Sequence, residues 1–239
     1  MISVSFALLI AAIFLSATLQ AGTGFGFSVL ATPLLLFFYP VPVAIQLNMF
    51  LSLLLSAGMF SQVKGHLDRT LLRRMIIAGV LALPLGIPLA GLDRNVMRLM
   101  VGCLLLALTL LLIVGPRVAR SRPLDYVAGG LSAMMTTALG MPGPPLLVYL
   151  AGTDTEKAKV RAAALSFFIF IYTAGLALHG AWYGMSREVW KGTVILLPAV
   201  AAGMYAGQRL FHRISPRIFR AILHGVLAAT AIGTLSQIR

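Results

Sequence analysis

The chain has 239 residues, 59% of them hydrophobic and 10% charged, with a net charge of +13. Soluble domains carry roughly 25% charged residues, so a water-facing exterior is excluded and lipid is the solvent this composition suits. Nucleic acid is not the partner: the bases lie in short loops between apolar runs, with no aromatics interleaved. They read instead as a topogenic signal in contact with anionic lipid.

In chain order, the apolar runs are Ile2–Gln20, Pro42–Gln62, Leu71–Leu92, Leu99–Gly115, Ala162–Tyr183, Gly192–Gly207 and Ile218–Ile238. Their lengths approach the ~20 residues a spanning helix needs. They use almost the whole chain, which predicts one membrane domain over residues 1–239. The N-terminus has no basic n-region and is expected to be mature structure. The single cysteine, Cys103, sits in an apolar run and is expected to pack in the core.

Two segments are interrupted. Phe6–Phe38 is broken between Gln20 and Gly26 and again at Pro33, and Leu124–Leu150 is broken between Gly140 and Pro145. Glycine and proline both disfavour helix interiors. Each segment reads as helix, unwound tip, shorter helix, either crossing once with a kink or folding back as a hairpin. Basic residues collect on the cytoplasmic side. Single crossings divide the bases 10 against 9, whereas hairpins divide them 14 against 5. Hairpins are therefore preferred.

That choice puts both termini in the periplasm and Trp182, Tyr183 and Trp190 at the outer interface. The first hairpin enters from outside. The second, flanked by Arg122 and Lys157, enters from the cytoplasm. The predicted fold is an all-α polytopic membrane protein with two inverted repeats, residues 1–115 and 122–239. Each repeat is a broken-helix hairpin plus three transmembrane helices. Short echoes agree: Leu47 and Asn48 lead to Gly58 as Leu165 and Ser166 lead to Gly175. Broken segments at matching places in two inverted halves point to a transporter's binding site.

The N–H groups that open each second half-helix, after Gly26 and after Gly143, carry partial positive charge and favour an anion. Gly22, Gly24, Gly26, Gly140 and Gly143 allow close approach to the main chain, or serve helix packing. Gln20, Thr23, Ser28, Thr136 and Thr137 offer hydrogen bonds, and Phe25, Met141, Pro142 and Pro144 belong to the same tips. Pro144 and Pro145 lack N–H groups, so the second cradle is poorer in donors. Asn48 either lines the cavity or bridges helices. His179 and His224 are candidates for a coupling proton. Arg98 and Arg220 either attract an anion into a vestibule or snorkel to headgroups.

The acids Asp68, Asp93, Asp125, Asp154, Glu156 and Glu188 fall in loops or at span ends. No buried carboxylate is expected, which argues against a cation carrier. No metal site or cofactor is expected. No His-Glu-x-x-His pattern or nucleophile elbow is present, so the chain does not read as an enzyme.

Gln20 to Phe27 with Pro33 to Leu36, and Gly129 to Ser132 ahead of Gly140 to Tyr149, resemble the signature regions of the TauE/SafE sulfite exporter family. The resemblance runs over essentially the whole chain. It implies a bacterial inner-membrane carrier with two related halves whose substrates are sulfite, sulfoacetate or other small organosulfur anions, usually for export. It would place Gln20, Gly22, Thr23, Gly24 and Gly26 at the substrate, with Thr137, Gly140, Pro142, Gly143 and Pro144 opposite. One departure is that Gly140 to Pro145 is four residues shorter than Gly24 to Pro33, so the tips need not be equivalent.

The expected function is a secondary transporter of a small anion. The alternatives are an anion channel, or a carrier of a small carboxylate or another inorganic anion. Expected partners are the anionic substrate and membrane lipids, with no nucleic acid, and a homodimer remains open.

Overall fold

The structure is a computed structural model that describes residues 2–114, 118–153 and 155–211. The predicted span Ile218–Ile238, with Arg220 and His224, lies outside the described residues. Among the described residues all regular structure is helical: α1 (Ile2–Thr23), α2 (Phe27–Phe38), α3 (Val41–Val63), a 3-10 turn (Lys64–His66), α4 (Arg69–Ala90), α5 (Arg94–Val114), α6 (Arg122–Leu139), α7 (Gly143–Gly152), α8 (Lys157–Tyr183) and α9 (Arg187–Phe211). Six of them, α1, α3, α4, α5, α8 and α9, are long and apolar enough to cross a membrane. Helices α5, α8 and α9 begin at a basic residue, five residues ahead of the apolar runs. Helical hydrogen bonding therefore continues past the edge of each apolar run.

Helix α3 and helix α8 form the centre. Both spans are 67% buried, against 39% or less for the other four. They run antiparallel, since Gln46 Nε2 donates to Gly184 O at 2.8 Å, Gly175 abuts Met49 and Phe60 lies beside Ser166 and Ile169.

Glycine contacts give the remaining directions. Gly203 and Gly207 of α9 press on the Phe14 and Thr18 carbonyls of α1, so α1 and α9 run parallel. Gly192 meets Leu47 and Gly58 meets Met204, so α3 and α9 also run parallel. Gly129 packs on the Met75 backbone and Gly86 on the Met134 carbonyl, so α4 and α6 run parallel. Where Gly203, Gly207, Gly129 and Gly86 approach neighbouring backbone, a Cβ has no room.

Both interrupted segments turn back. Because α1 and α3 run the same way, α2 must return between them. In the second segment, Tyr149 Oη, near the end of α7, donates to Asp125 Oδ1, near the start of α6, at 2.6 Å. Val118 N–H donates to Gly152 O at 2.8 Å. A straight segment would separate those ends by about 1.5 Å per residue. With α1, α3 and α9 running one way and α4, α6 and α8 the other, the two tips approach from opposite faces.

Two expectations are corrected. Asp125 is a buried carboxylate, its side chain fully enclosed at the foot of the second hairpin. Arg74 Nη1 neutralises it at 2.8 Å, Tyr149 supplies a further hydrogen bond, and Arg120 lies 3.9 Å away. The partner sits 51 residues upstream, so proximity to a span end did not imply exposure. Cys103 is exposed on α5 and not in the core, because lipid covers apolar faces that a soluble protein would bury.

Candidate functional site

At the first tip the backbone breaks at Gly24 (φ 86) and Gly26 (φ 105). The positive φ calls for glycine at 26, and a Cβ there would also displace Leu19 Cδ2, 2.8 Å away. Gln20 organises the turn: its Oε1 accepts the Phe27 N–H at 3.2 Å and its Nε2 donates to Ser56 Oγ at 3.1 Å. The Thr23 hydroxyl lies 2.8 Å from both the Leu19 and Phe25 carbonyls and accepts Phe25 N–H at 3.2 Å, so it serves the turn itself. Gly22 is buried in the last turn of α1. Phe25 meets the Phe168 ring edge-on at 5.9 Å.

Arg161, which composition alone placed in a loop, belongs to α8 and reaches this tip. Its guanidinium donates to Ala21 O at 2.8 Å, where a cation complements the carbonyl end of α1. Its stem packs on Gly24.

At the second tip Gly140 (φ 71) ends α6. Its N–H donates to Thr136 O at 2.8 Å, and Met141 N–H donates to Met135 O at 3.1 Å. Pro142 precedes Gly143, which opens α7, and Met141, Pro142, Gly143 and Pro144 are all buried. Asn48 Nδ2 donates to Gly140 O at 2.6 Å. The threonine hydroxyls turn elsewhere: Thr136 bonds back to Ser132 O and Thr137 crosses to Leu83 O, each at 2.7 Å. His179 Nε2 lies 2.7 Å from Thr137 O, and its Nδ1 finds no hydrogen-bond partner among the described residues. Arg98 sits half-buried in the second turn of α5.

A polar stripe on α3 joins the two tips. Asn48, Ser52 and Ser56 recur at four-residue spacing, so they share one helix face. Asn48 holds the second tip, Ser56 holds the first, and Ser52 lies between them. Tyr172 of α8 faces Ser52 and Ser28. Ser28 is the second residue of α2, and its Oγ lies 4.0 Å from where Gly143 of α7 would carry a β-carbon. The openings of the two short half-helices therefore meet here.

Thr32 Oγ1 and Asn48 Oδ1 are fully buried and find no hydrogen-bond partner among the described residues, while the equally buried Tyr172 Oη and Ser52 Oγ face each other without a well-formed hydrogen bond. A buried polar group without a partner is costly, so the hydroxyls and amide oxygen gathered here retain hydrogen-bonding capacity that the protein itself does not fully use. Two surface grooves of about 310 and 420 Å³, at Trp190 and Lys191 and at Phe60 and Ser166, are formed by other residues than the tips.

A family profile described as sulfite exporter TauE/SafE matches residues 9–234, which include both tips and every residue of this cluster. The chain belongs to the TauE/SafE sulfite exporter family. No match emerges among curated proteins or among solved structures. In this TauE/SafE protein the junction draws together Gln20, Ser28, Asn48, Gly140 and Gly143, all singled out from sequence. It adds Ser52, Ser56 and Tyr172, which were not. The four-residue repeat of polar side chains through the apolar middle of α3 was the available signal. Tyr172 had none, because its neighbours come from α2 and α3.

Proposed function

We propose that this protein is a secondary carrier that exports a small sulfur oxyanion, sulfite or a small organosulfonate, across the bacterial inner membrane, with both termini periplasmic. The observation that carries the reading is the meeting of the α2 and α7 openings at Ser28 and Gly143 inside a fully buried polar cluster. Helix N-termini present free N–H groups and partial positive charge to an anion. Pro144 and Pro145 remove two donors from α7, so α2 contributes the larger share.

Family membership supports the sulfur-oxyanion class. The opposed entry of the two hairpins supports alternating access, with the site opening to one face as one hairpin unit moves against the rest. The reversal of α1, α3 and α4 relative to α6, α8 and α9 supports two inverted units, 1–115 and 122–239.

The test is labelled sulfite flux into proteoliposomes holding the purified chain. A carrier gives saturable flux that small organosulfonates compete away. Flux that grows linearly with concentration and carries a steady current would replace the carrier with a channel. An absence of sulfite flux under every imposed gradient would remove the substrate class.

A further inference from the structure

The two hairpins pass each other, so the two tips lie on opposite sides of the junction. On α3, Ser56 holds the first tip and Asn48 the second, four residues to either side of Ser52. On the antiparallel α8 the order repeats. Arg161 reaches the first tip, Tyr172 stands at the junction eleven residues later, and His179 reaches the second tip after seven more. Those steps are about 16 Å and about 10 Å of helix rise. The first tip therefore lies between the junction and the end of the bundle where α8 begins. The second lies between the junction and the end where α8 finishes. Ser28, Thr32, Asn48, Ser52 and Tyr172 are at most 2% exposed, so the junction is shut on both sides.

The two tips differ in what unfastening them costs. Asn48 Nδ2 and Gly140 O are buried, and separating them strands two polar groups away from water. Arg161 sits in the second turn of α8 and is only half-buried. Its guanidinium donates to Ala21 O at 2.8 Å, and its stem lies against Gly24, where a Cβ would come within 2.8 Å of Arg161 Cγ. A charged hydrogen bond is strong while it lasts. A guanidinium released near a helix start regains water, however, so this fastening opens at lower cost.

Resting on the carrier reading above, we infer that Arg161 is the positioning residue of the cytoplasmic gate. With its head on Ala21 O and its stem against Gly24, it holds the first tip across the cytoplasmic path to Ser28 and Tyr172. Its release frees that tip and opens the site to the cytoplasm, while the Asn48 and His179 contacts keep the outer side closed.

The test reads access to the junction from each face. The full-length chain, with the exposed Cys103 replaced by serine, carries Ser28→Cys as the reporter. A small membrane-impermeant methanethiosulfonate is applied to inside-out vesicles, which present the cytoplasmic face, and to spheroplasts, which present the outer one. Arg161→Met removes the donor and keeps an unbranched stem on Gly24. It is expected to speed labelling from the cytoplasmic face about 10-fold to 100-fold, the gain in open population when one charged hydrogen bond is lost. Labelling from the outer face should not change. Arg161→Lys keeps a cationic donor and is expected to label near the parent rate. If Arg161→Met does not reach the membrane, Arg161→Gln takes its place with the same expectation.

An unchanged cytoplasmic rate overturns the inference. Equal acceleration from both faces overturns it as well, since that is general loosening, and so does acceleration from the outer face alone. Arg161→Lys labelling as fast as Arg161→Met would show that the cation does not hold the tip. The labelling needs no substrate, so the two readings fail separately. A wild-type chain without sulfite flux rejects the carrier whatever the labelling rates, whereas normal flux with labelling indifferent to Arg161 keeps the carrier and removes the gate.

Discussion

The Asn48 side-chain amide donates to the Gly140 carbonyl at 2.6 Å and so fastens the second tip to the central helix. Gly140 is held at φ 71, and a Cβ added there would lie 3.0 Å from Asn48 Nδ2. Asn48→Leu leaves a buried carbonyl unpaired, at about 1–3 kcal/mol. Gly140→Ala imposes left-handed strain of about 1–2 kcal/mol and crowds the same amide. Each variant is expected to lower the melting temperature in detergent. The double variant should cost less than the sum, because both act on one contact. Full additivity would show that this bond does not hold the tip.

Tyr172 and Ser52 should behave in the opposite way. Their hydroxyls are buried and face each other without a well-formed hydrogen bond, so Tyr172→Phe and Ser52→Ala remove little of the protein's own hydrogen bonding. Melting temperatures are expected to hold or rise, while sulfite transport falls about 10-fold to 100-fold, the worth of a hydrogen bond to a charged ligand. Thr137→Val is the contrast, since that hydroxyl bonds to Leu83 O between α6 and α4. It should cost about 1 kcal/mol of stability and leave sulfite affinity in place. Tyr172→Phe and Ser52→Ala proteins that melt early and transport normally would reverse the assignment.

What sequence makes legible here is local. Gly24, Gly26 and Gly140 announce both tips, because positive φ and helix breaking are properties of a residue and its immediate neighbours. The α3 stripe is legible too, once Asn48 is read together with Ser52 and Ser56. What depends on a distant partner is not. Asp125 looks like an interfacial acid until Arg74, 51 residues earlier, folds against it. Nothing near Thr137 in sequence announces the Leu83 carbonyl that α4 presents to it. Arg161 looks like a loop cation until α1 presents its last carbonyls.

The loop ahead of α4 gives a prediction in pH. Asp68 caps that helix, accepting the Thr70 and Leu71 N–H groups at 3.0 Å each, and receives Arg120 Nη2 at 2.7 Å. The Leu71 N–H, followed by Arg120, holds its carboxyl below the usual range. A carboxyl with a depressed folded-state pKa contributes stability above its unfolded value of about 3.9, and that stability is lost as pH falls through the folded value. The melting temperature should therefore drop on acidification below about pH 4. Asp68→Asn keeps a competent cap but carries no titrating charge. It should melt lower than wild type at neutral pH and lose less on acidification. An identical acid profile in the two proteins would remove Asp68 from the account.

The opposed hairpins set which positions share a face. Since α6 and α7 fold back on each other, Arg122 at the start of α6 and Lys159 in the first turn of α8 must lie on one side, and Arg187 at the start of α9 on the other. All three side chains are exposed. The exposed Cys103 would report in any labelling experiment, so Cys103→Ser is the starting background. Single Arg122→Cys, Lys159→Cys and Arg187→Cys variants are then treated with a membrane-impermeant maleimide on intact spheroplasts. Position 187 is expected to label at once, and positions 122 and 159 only after the membrane is opened, because positive residues accumulate on the cytoplasmic face. Labelling of all three in the reverse pattern would invert the protein and keep the hairpins. Labelling of 122 and 159 from different sides would mean that the second broken segment crosses the bilayer. The half-helix openings could not then meet at Ser28, and the anion cradle would have no floor.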